Sequence, residues 1–414
     1  MEGMKFRGGK MTETPRGNRI HIAIFGRTNA GKSSLINCIT NQKISLVSEM
    51  KGTTTDPVYK AMELLPIGPV VFIDTAGIDD TSAIGALRIE KTIEILDKMD
   101  IAVFVVAAET ILENQTLSFE QEWIEKIKAK KKPVIAVLNK VDIISEKEKF
   151  ENRIAEAEKR LGLNFIQISS ENGVNIDRLK KEIIEKSPKF IEGETLIGDK
   201  IKTGDKILLV APQDIQAPKG RLILPQVQVL RDILDFGGIP VMTTLGQLDE
   251  ALKIFDGKPD LVITDSQVFK MVDEKLDRSI PLTSFSIIMA RSKGDLKTLY
   301  AGAKKINELK SGDKVLIAEA CTHHQLKGDI AREKIPMLLK KKIPGIIIEN
   351  CSGKDFPKDL EKYSLVIHCG SCMLNRAETM SRIERCSEIT NFGLIIAELT
   401  GILDRVVEIF ELKR

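Results

Sequence analysis

The sequence has no long apolar run, little net charge and few aromatic residues, and each of these absences excludes a class of partner. No apolar run approaches the ~18 residues that a membrane-spanning helix needs, so we expect no membrane partner. The formal net charge is only +3, whereas a nucleic-acid surface needs a concentrated basic footprint. The sequence also lacks a platform of aromatic and basic residues on which RNA bases could stack. We therefore expect no nucleic-acid partner.

Cysteine and histidine are scarce too, with six and four copies. The N-terminal residues are partly basic but have no apolar stretch behind them, so they do not form a secretory signal, and we interpret 1–18 as a flexible tail. These features predict a cytoplasmic protein, in which closely spaced cysteines more often bind metal or act in catalysis than form disulfides. The composition is otherwise that of a globular chain of two or three domains.

The first third of the chain carries a phosphate-binding loop. A predicted strand, Ile20–Phe25, leads into GRTNAGKS at 26–33, which matches the pattern G-x-x-x-x-G-K-[ST], and a predicted helix follows. In this pattern backbone N–H groups surround phosphates, Lys32 reaches the β- and γ-phosphates, and the Ser33 hydroxyl ligates Mg²⁺. The predicted nucleotide-binding residues of this loop are Asn29, Ala30, Gly31, Lys32, Ser33 and Ser34.

Three further strand ends complete a predicted nucleotide site. Strand 70–73 runs into DTAG, where Asp74 can hold Mg²⁺ through water and the Gly77 N–H can sense the γ-phosphate. Strand 134–138 runs into NKVD, where a carboxylate can accept both N–H groups of a guanine edge. The next strand end, ISS, can supply a backbone N–H to the guanine carbonyl. The predicted base-binding residues are Asn139, Lys140, Asp142, Ser169 and Ser170.

This set of motifs, in this order, resembles the Ras-like GTPase superfamily over 19–190. The P-loop together with GTTTD at 52–56 resembles its TrmE/Era branch. The resemblance implies guanine specificity, closure of Thr54 over Mg²⁺, and a K⁺ ion, held by Asn29, that replaces an arginine finger. Loop geometry alone is the other explanation for Asn29. Lys32, Thr54, Asp74 and Gly77 are the predicted catalytic residues.

The water-orienting position of this site is unusual. Ile78 stands where Ras-type enzymes place a Gln, and an alignment to the TrmE pattern puts Gly85 where those enzymes have a Glu. Asp79 and Asp80 are candidates for the role, although a solvated loop explains them equally well. We therefore expect slow hydrolysis and a switch rather than a metabolic enzyme.

Residues 195–279 predict a small α/β domain that follows a linker at 188–205. Predicted strands alternate with helices, which indicates a parallel sheet. The domain has no Cys, His or phosphate loop, so self-association is its expected role. The predicted strands are Lys206–Val210, Pro240–Thr244 and Leu261–Thr264, and the predicted helices are Leu222–Phe236, Leu245–Phe255 and Gln267–Leu276.

Residues 280–414 predict a third α/β domain, so the whole chain is expected to be α/β with mainly parallel sheets flanked by helices. From about Pro281 the pattern is helical, and three apolar strands follow. The strands are Lys314–Glu319, Gly345–Glu349 and Leu365–His368, and the helices between them include Ile330–Lys341 and Leu374–Glu388.

Cysteines occur at the end of each of these strands, and histidines accompany them at the first and the third. The first runs into ACTHH at 320–324, the second into NCSG at 350–353, and the third into HCGSC at 368–372. Because the carboxyl ends of parallel strands open onto one edge, we expect these groups to lie together. Cys38 and Cys386 fall within helical patterns and are expected in the core. A redox pair, a zinc site and an iron–sulfur site remain open, although a redox pair leaves Cys321 and His323 unexplained.

The full order of GTPase domain, middle module and C-x-H…H-C-x-x-C resembles the HydF family, the GTPase scaffolds of FeFe-hydrogenase maturation. The resemblance implies a 4Fe–4S cluster bound by Cys321, Cys369 and Cys372, with His323 or His368 as a labile fourth ligand or as support. It also implies a transient diiron precursor, two radical-SAM maturases and the apo-hydrogenase as partners, and a homodimer or higher oligomer. Cys351 is a further candidate ligand because of its strand-end position, and His324 is not required. The alternative is a ribosome- or tRNA-associated GTPase with structural zinc.

Overall fold

The computed structural model describes residues 16–40, 57–77, 83–113, 116–144, 147–188, 195–211, 222–320, 329–353 and 355–412. They form two compact units, which divide between Phe190 and Ile191. Within the described ranges, no helix is both long and apolar enough to cross a bilayer.

The first unit is a six-stranded sheet with helices packed against it. Its strands are β1 (Ile20–Phe25), β2 (Val58–Leu64), β3 (Gly68–Asp74), β4 (Ile101–Ala107), β5 (Val134–Asn139) and β6 (Phe165–Gln167). Its helices are α1 (Lys32–Thr40), α2 (Ala83–Lys98), α3 (Ala108–Leu112), α4 (Ser118–Ala129), α5 (Lys147–Leu161) and α6 (Ile176–Lys186). The strand order is β2-β3-β1-β4-β5-β6, and only the β2–β3 pair is antiparallel.

Burial explains why the first unit folds this way. Strands β1, β4 and β5 are buried at every residue, as expected for parallel strands covered on both faces. Two apolar clusters lie on the two faces of the sheet, one around Phe25, Phe104 and Trp123, the other around Leu35 and Phe72. This arrangement leaves the carboxyl ends of β1, β3 and β5 for the loops that carry the phosphate and base motifs.

The second unit contains two parallel four-stranded sheets. The middle sheet has the order β10-β9-β7-β8 and the C-terminal sheet the order β12-β11-β13-β14. The strands are β7 (Lys206–Val210), β8 (Ile239–Thr243), β9 (Leu261–Thr264), β10 (Leu282–Ser284), β11 (Lys314–Glu319), β12 (Ile347–Ser352), β13 (Leu365–His368) and β14 (Ile389–Asn391). A single hydrophobic core runs through both sheets, from Ile197 to Phe410.

Nine α-helices flank these two sheets in the described part of the second unit. They are α7 (Leu224–Asp235), α8 (Leu248–Lys253), α9 (Phe269–Asp273), α10 (Phe285–Lys293), α11 (Leu296–Lys305), α12 (Ile335–Lys342), α13 (Arg376–Glu384), α14 (Phe392–Leu399) and α15 (Leu403–Val407). A single turn of π-helix, Ile330–Lys334, precedes α12. Such turns are rare and occur frequently at functional sites.

The structure confirms the α/β class and most predicted strands, and it corrects three elements. The stretch after Pro281, predicted to be helical, begins with β10, and a fourth strand that was not predicted, β14, follows the end of the predicted helix Leu374–Glu388. Both strands have three residues and are buried throughout, so they show no alternation that could reveal them. The third correction is β12, which extends to Ser352 because it pairs with β11 as far as Glu319. Cys351 therefore lies inside a strand rather than after it.

A close helix–strand contact in the second unit gives a test of the fold. An alanine at Gly302 in α11 would place its Cβ 1.9 Å from the Ile389 carbonyl oxygen in β14. Because the obstructing oxygen belongs to the backbone of β14 and cannot rotate away, Gly302→Ala should destabilise the unit by about 3 kcal/mol. Gly246→Ala is the control, since nothing lies within 4 Å of its Cβ. Urea unfolding followed by circular dichroism measures both, and equal stability of the two variants would contradict the packing.

Candidate functional sites

The phosphate loop holds its lysine in a confined position. Lys32 opens α1 and is buried, and its Nζ donates to the carbonyl oxygens of Gly26 at 2.9 Å and Arg27 at 2.8 Å. The ammonium therefore faces the inside of the loop, where phosphate oxygens bind in this motif. Asn29 is exposed and has a positive φ of 61°, as does Gly31 at 87°. A side chain at Gly31 would lie 2.2 Å from the Asn139 amide nitrogen.

A magnesium-type donor pair lies beside this loop. The Ser33 hydroxyl donates to the Asp74 carboxylate at 2.6 Å. Burial raises the pKa of Asp74, and the Ser33 hydrogen bond with the charges of Lys32 and Lys60 opposes that rise. The second oxygen of Asp74 is buried and has no partner among the described residues. An unsatisfied buried carboxylate oxygen next to a hydroxyl fits a hydrated Mg²⁺.

The glycine that ends the Asp74 motif packs directly on the phosphate loop. A Cβ at Gly77 would lie 2.0 Å from the Thr28 hydroxyl and 2.9 Å from the Thr28 nitrogen. Only glycine permits this approach, which brings the Gly77 backbone beside the expected phosphate position. Thr54, Ile78, Asp79 and Asp80 lie outside the described residues. Gly85 lies within α2.

The base-side motif is braced by one buried amide. Asn139 is 1% exposed, its Nδ2 donates to the Ala30 carbonyl at 3.1 Å, and its Oδ1 accepts from the Ser170 N–H at 3.1 Å and hydroxyl at 2.9 Å. Asn139 therefore ties the phosphate loop to the ISS loop. Lys140 adopts a left-handed conformation and pairs with Glu109 at 2.8 Å. Asp142 is exposed in the next turn, whereas Ser169 is buried and accepts from a backbone N–H.

One ion pair of this site was missed from the sequence. Arg27, a variable position of the P-loop, pairs through two hydrogen bonds with Glu120 of α4, at 2.5 Å from Nε and 3.0 Å from Nη2. The Glu120 side chain is 2% exposed. A buried bidentate pair of this kind has a demanding geometry and is costly to break. The two residues are 93 positions apart, so no local sequence pattern could have joined them.

The C-terminal sheet brings the second set of motifs to one edge. Cys369 follows β13, and its sulfur accepts the Ala320 N–H at 3.1 Å, at the point where β11 leads into position 321. The register places both Cys351 and His368 beside Ala318. Ser371, between the two cysteines of this loop, has a φ of 57° and so adopts a left-handed conformation that turns the chain before Cys372. Cys321, His323 and His324 lie outside the described residues.

Burial keeps these thiols protonated. It raises the pKa of Cys369 to about 11, although the backbone N–H groups of Ser371 and Ala320 oppose the rise. Burial also raises the pKa of Cys372, against the charge of Lys293, and raises that of Cys351 to about 11. A redox pair of the thioredoxin kind needs a thiol with a lowered pKa. The environment of the metal-free thiols therefore disfavours that interpretation.

His368 is 5% exposed, and protein groups surround its ring. Its Nε2 lies 3.2 Å from the Arg382 guanidinium, and its Nδ1 lies 2.9 Å from the Cys369 carbonyl oxygen. A guanidinium only donates, so Nε2 accepts and Nδ1 carries the proton. Burial, followed by the charge of Arg382, lowers the pKa of His368 to about 4.

Of the other two described cysteines, Cys38 lies in α1 and Cys386 follows the end of α13. Cys38 and Cys386 are half-buried and pack against apolar clusters, as expected for core positions. Within the described ranges, no three His, Cys, Asp or Glu side chains form a group that could hold a metal ion. Cys369 and Cys372 are thus the described part of the predicted ligand set.

Three family models match successive parts of the chain. A family model described as "50S ribosome-binding GTPase" matches residues 21–140. Models for the hydrogen maturase F dimerization domain and tetramerization domain match residues 196–294 and 297–409. The phosphate loop, the Asp74 and Asn139 strand ends and the first match define a P-loop GTPase domain. The other two matches cover more than half of the chain, and the chain belongs to the hydrogen maturase F (HydF) family.

Curated relatives and solved structures are similar over part of the chain. The tRNA modification GTPase MnmE of Christiangramia forsetii is 33% identical over 178 residues, which are 41% of this chain and 37% of that protein. GTPase Era of Halothermothrix orenii is 33% identical over 44% of this chain and 60% of its own length. The chain thus spans about a third to three-fifths of these relatives. Crystalline Era of Aquifex aeolicus with GDP·AlF4⁻ is 23% identical, covers 57% of this chain and 97% of its own, and has a TM-score of 0.34.

The buried Asp74 carboxylate predicts opposite effects on stability and binding. Its raised pKa means that ionisation opposes folding at neutral pH and ceases to do so as the pH falls through that pKa. Asp74→Asn should therefore raise the melting temperature of the nucleotide-free protein at pH 7, with a smaller gain near pH 4. The same change should weaken binding of the Mg²⁺–nucleotide complex about 10- to 100-fold.

Thermal unfolding of the first unit is measured by the fluorescence of Trp123, the only tryptophan of the chain. Asp142→Asn is the control, because that carboxylate is exposed and should leave the melting temperature unchanged. A stability loss in Asp74→Asn at pH 7 would contradict the electrostatic account.

Proposed function

We propose that the protein is a GTP-binding and GTP-hydrolysing scaffold of FeFe-hydrogenase maturation, which binds a 4Fe–4S cluster and passes a diiron precursor to the apo-hydrogenase. The observation that carries the proposal is the position of the Cys369 sulfur, which accepts the Ala320 N–H immediately before Cys321. The membership of the chain in the HydF family supports the same proposal. The ligands of the proposal are Cys321, Cys369 and Cys372.

The described thiols fit such a group. Their sulfur atoms lie at the carboxyl edge of a parallel sheet, and Cys369 receives a backbone N–H bond of the kind that tunes iron–sulfur potentials. When bound through three thiolates, the cluster supplies one iron with a replaceable ligand, at which a second metal unit can be accepted. His323 stays the candidate for that labile position. The enclosed ring of His368 suits support of the cysteine loop better than direct ligation.

The GTPase domain supplies the switch in this proposal. Lys32 and the N–H groups of its loop bind phosphates, Ser33, Thr54 and Asp74 hold Mg²⁺, and Gly77 senses the γ-phosphate. Asp142, with the ISS loop, reads guanine. Hydrolysis is slow because Ile78 occupies the water-orienting position, and K⁺ bound by Asn29 neutralises charge that develops between the phosphates.

Partners and assembly complete the proposal. The chain forms a homodimer or higher oligomer, as the names of the two matching HydF family models suggest. It acts in the cytoplasm, where it binds two radical-SAM maturases and the apo-hydrogenase. Among the described residues, strand β8 is an edge strand of the middle sheet with no second strand beside it, and Ile239 is 52% exposed. Because an unpaired apolar edge favours pairing with another chain, we place the dimer contact there. Assignment of residues 195–279 to dimerisation and 280–414 to cluster binding belongs to the same proposal.

Anaerobic iron and sulfide reconstitution tests the cluster. The wild type should turn brown, with absorption near ~400 nm, and Cys369→Ser should lose most of it because a thiolate ligand is gone. Cys386→Ser is the matched control, since that half-buried thiol packs against the core and should leave iron content unchanged. One zinc per chain and no iron would support the rival, a tRNA- or ribosome-associated GTPase with structural zinc. Lys32→Ala should lose GTP hydrolysis and keep its iron.

Potassium tests the switch. GTP hydrolysis by the wild type should be faster in K⁺ than in Na⁺ at equal ionic strength, because the ion bound by Asn29 compensates transition-state charge. Asn29→Ala should remove the difference, whereas Asn164→Ala, at an exposed asparagine directly before β6, should retain it. Equal rates of the wild type in the two salts would refute the role of Asn29 and leave the cluster proposal untouched.

A further inference from the structure

Helix α10 connects the middle sheet to the cysteine loop. It starts at Phe285, directly after β10, and the side chain of Ser284, the last residue of β10, caps it by accepting the Ile287 N–H. Three residues of one face of α10, at spacings of three and four, meet the loop at 369–374. A Cβ at Gly370 would lie 3.5 Å from the Ser286 hydroxyl and 3.7 Å from the Met289 Cβ, and the third residue is Lys293. Helix α10, which continues directly from the middle sheet, therefore packs against the loop that carries the thiols.

Lys293 makes the tightest of these contacts. Its side chain is buried, and its Nζ donates to the Leu374 carbonyl at 2.6 Å and the Cys372 carbonyl at 3.2 Å. The two bonds hold both sides of Met373 and so fix where Cys372 presents its sulfur. Burial lowers the pKa of Lys293 to about 8, and the sulfur atoms of Cys372 and Cys369 lie near enough that thiolate charges on them would raise it.

The charge of Lys293 is as important as its hydrogen bonds. Lys293 is the last residue of α10, and a helix carboxyl end carries partial negative charge that disfavours nearby anions. Thiolates and a thiolate-bound cluster are anions, and reduction makes the cluster more negative. A buried ammonium at this helix end reverses the local field, and low local polarity strengthens its effect.

We propose that Lys293 is a positioning and charge-compensating residue of the thiolate site, which fixes the Cys372 loop and stabilises the reduced state of the metal group bound there. The proposal rests on the proposed cluster binding. It assigns to α10, the first helix after β10, a part in setting the redox potential of the metal group bound at the neighbouring site.

Redox titration of the reconstituted full chain, monitored by electron paramagnetic resonance, tests this role. Lys293→Met should keep the iron content of the wild type and shift the cluster midpoint potential to a more negative value. Lys293→Arg should lie near the wild type because it keeps the charge. Lys297→Met, an exposed lysine on the next helix, is the matched control and should not change the potential.

Each other outcome decides a different question. Full iron in Lys293→Met at the wild-type potential overturns the role of Lys293 and leaves cluster binding intact. Equal shifts in Lys293→Arg and Lys293→Met also overturn it, because packing rather than charge would then be the cause. Lys293→Gln, which keeps a donor for the two carbonyls, replaces Met if that variant binds no iron, and the same shift is expected. A wild type without iron refutes the proposed function itself.

Discussion

Both candidate sites depend on one constraint, the common direction of strands in a parallel sheet. In the GTPase unit, β1, β3 and β5 end at the phosphate loop, at Asp74 and at Asn139. In the C-terminal sheet, β11 ends at Glu319, directly before Ala320, and β13 ends at His368. Residues far apart in the chain thereby share one edge, and short loops carry the chemistry while buried strands fix its position. A side chain moved to the amino end of any of these strands would lie on the wrong side of the domain.

Long-range hydrogen bonds of buried polar side chains then fix the positions of the loops at this common edge. Asn139 joins the phosphate loop to the ISS loop, and Arg27 joins it to α4 through Glu120. In the second unit, Arg382 contacts His368 and also donates to the Gly353 carbonyl at 3.0 Å. In each case, removing one partner would leave a buried polar group unsatisfied, which costs more than the bond itself contributes. These hydrogen bonds therefore determine the positions of the loops more than they add to the stability of the fold.

The sequence predicted the strands that carry the motifs because those strands are long, apolar and followed by residues of unusual chemistry. Strand β11 agrees with its prediction at both ends. The three-residue strands β10 and β14 were missed because their burial removes the alternation on which strand prediction depends. Long-range pairs such as Arg27 with Glu120, and the contact of Lys293 with the Cys372 loop, were also beyond prediction, since only the tertiary fold brings those residues together. Family resemblance supplied ligand assignments that residue chemistry alone had left open.

The core of the second unit also bears on the choice between a metal carrier and a structural zinc protein. Structural zinc sites contribute folding energy outright, typically in small domains that lack a sufficient core. Here a continuous apolar core joins both sheets, with Ile207, Val262, Val315 and Ile367 fully buried. The cysteine loop lies at the edge of this core, and its thiols have raised pKa values that favour the protonated, metal-free state. A metal bound here must displace protons from a unit that is already folded. Binding is thus separable from folding, and a scaffold that accepts and releases a metal group requires that separation.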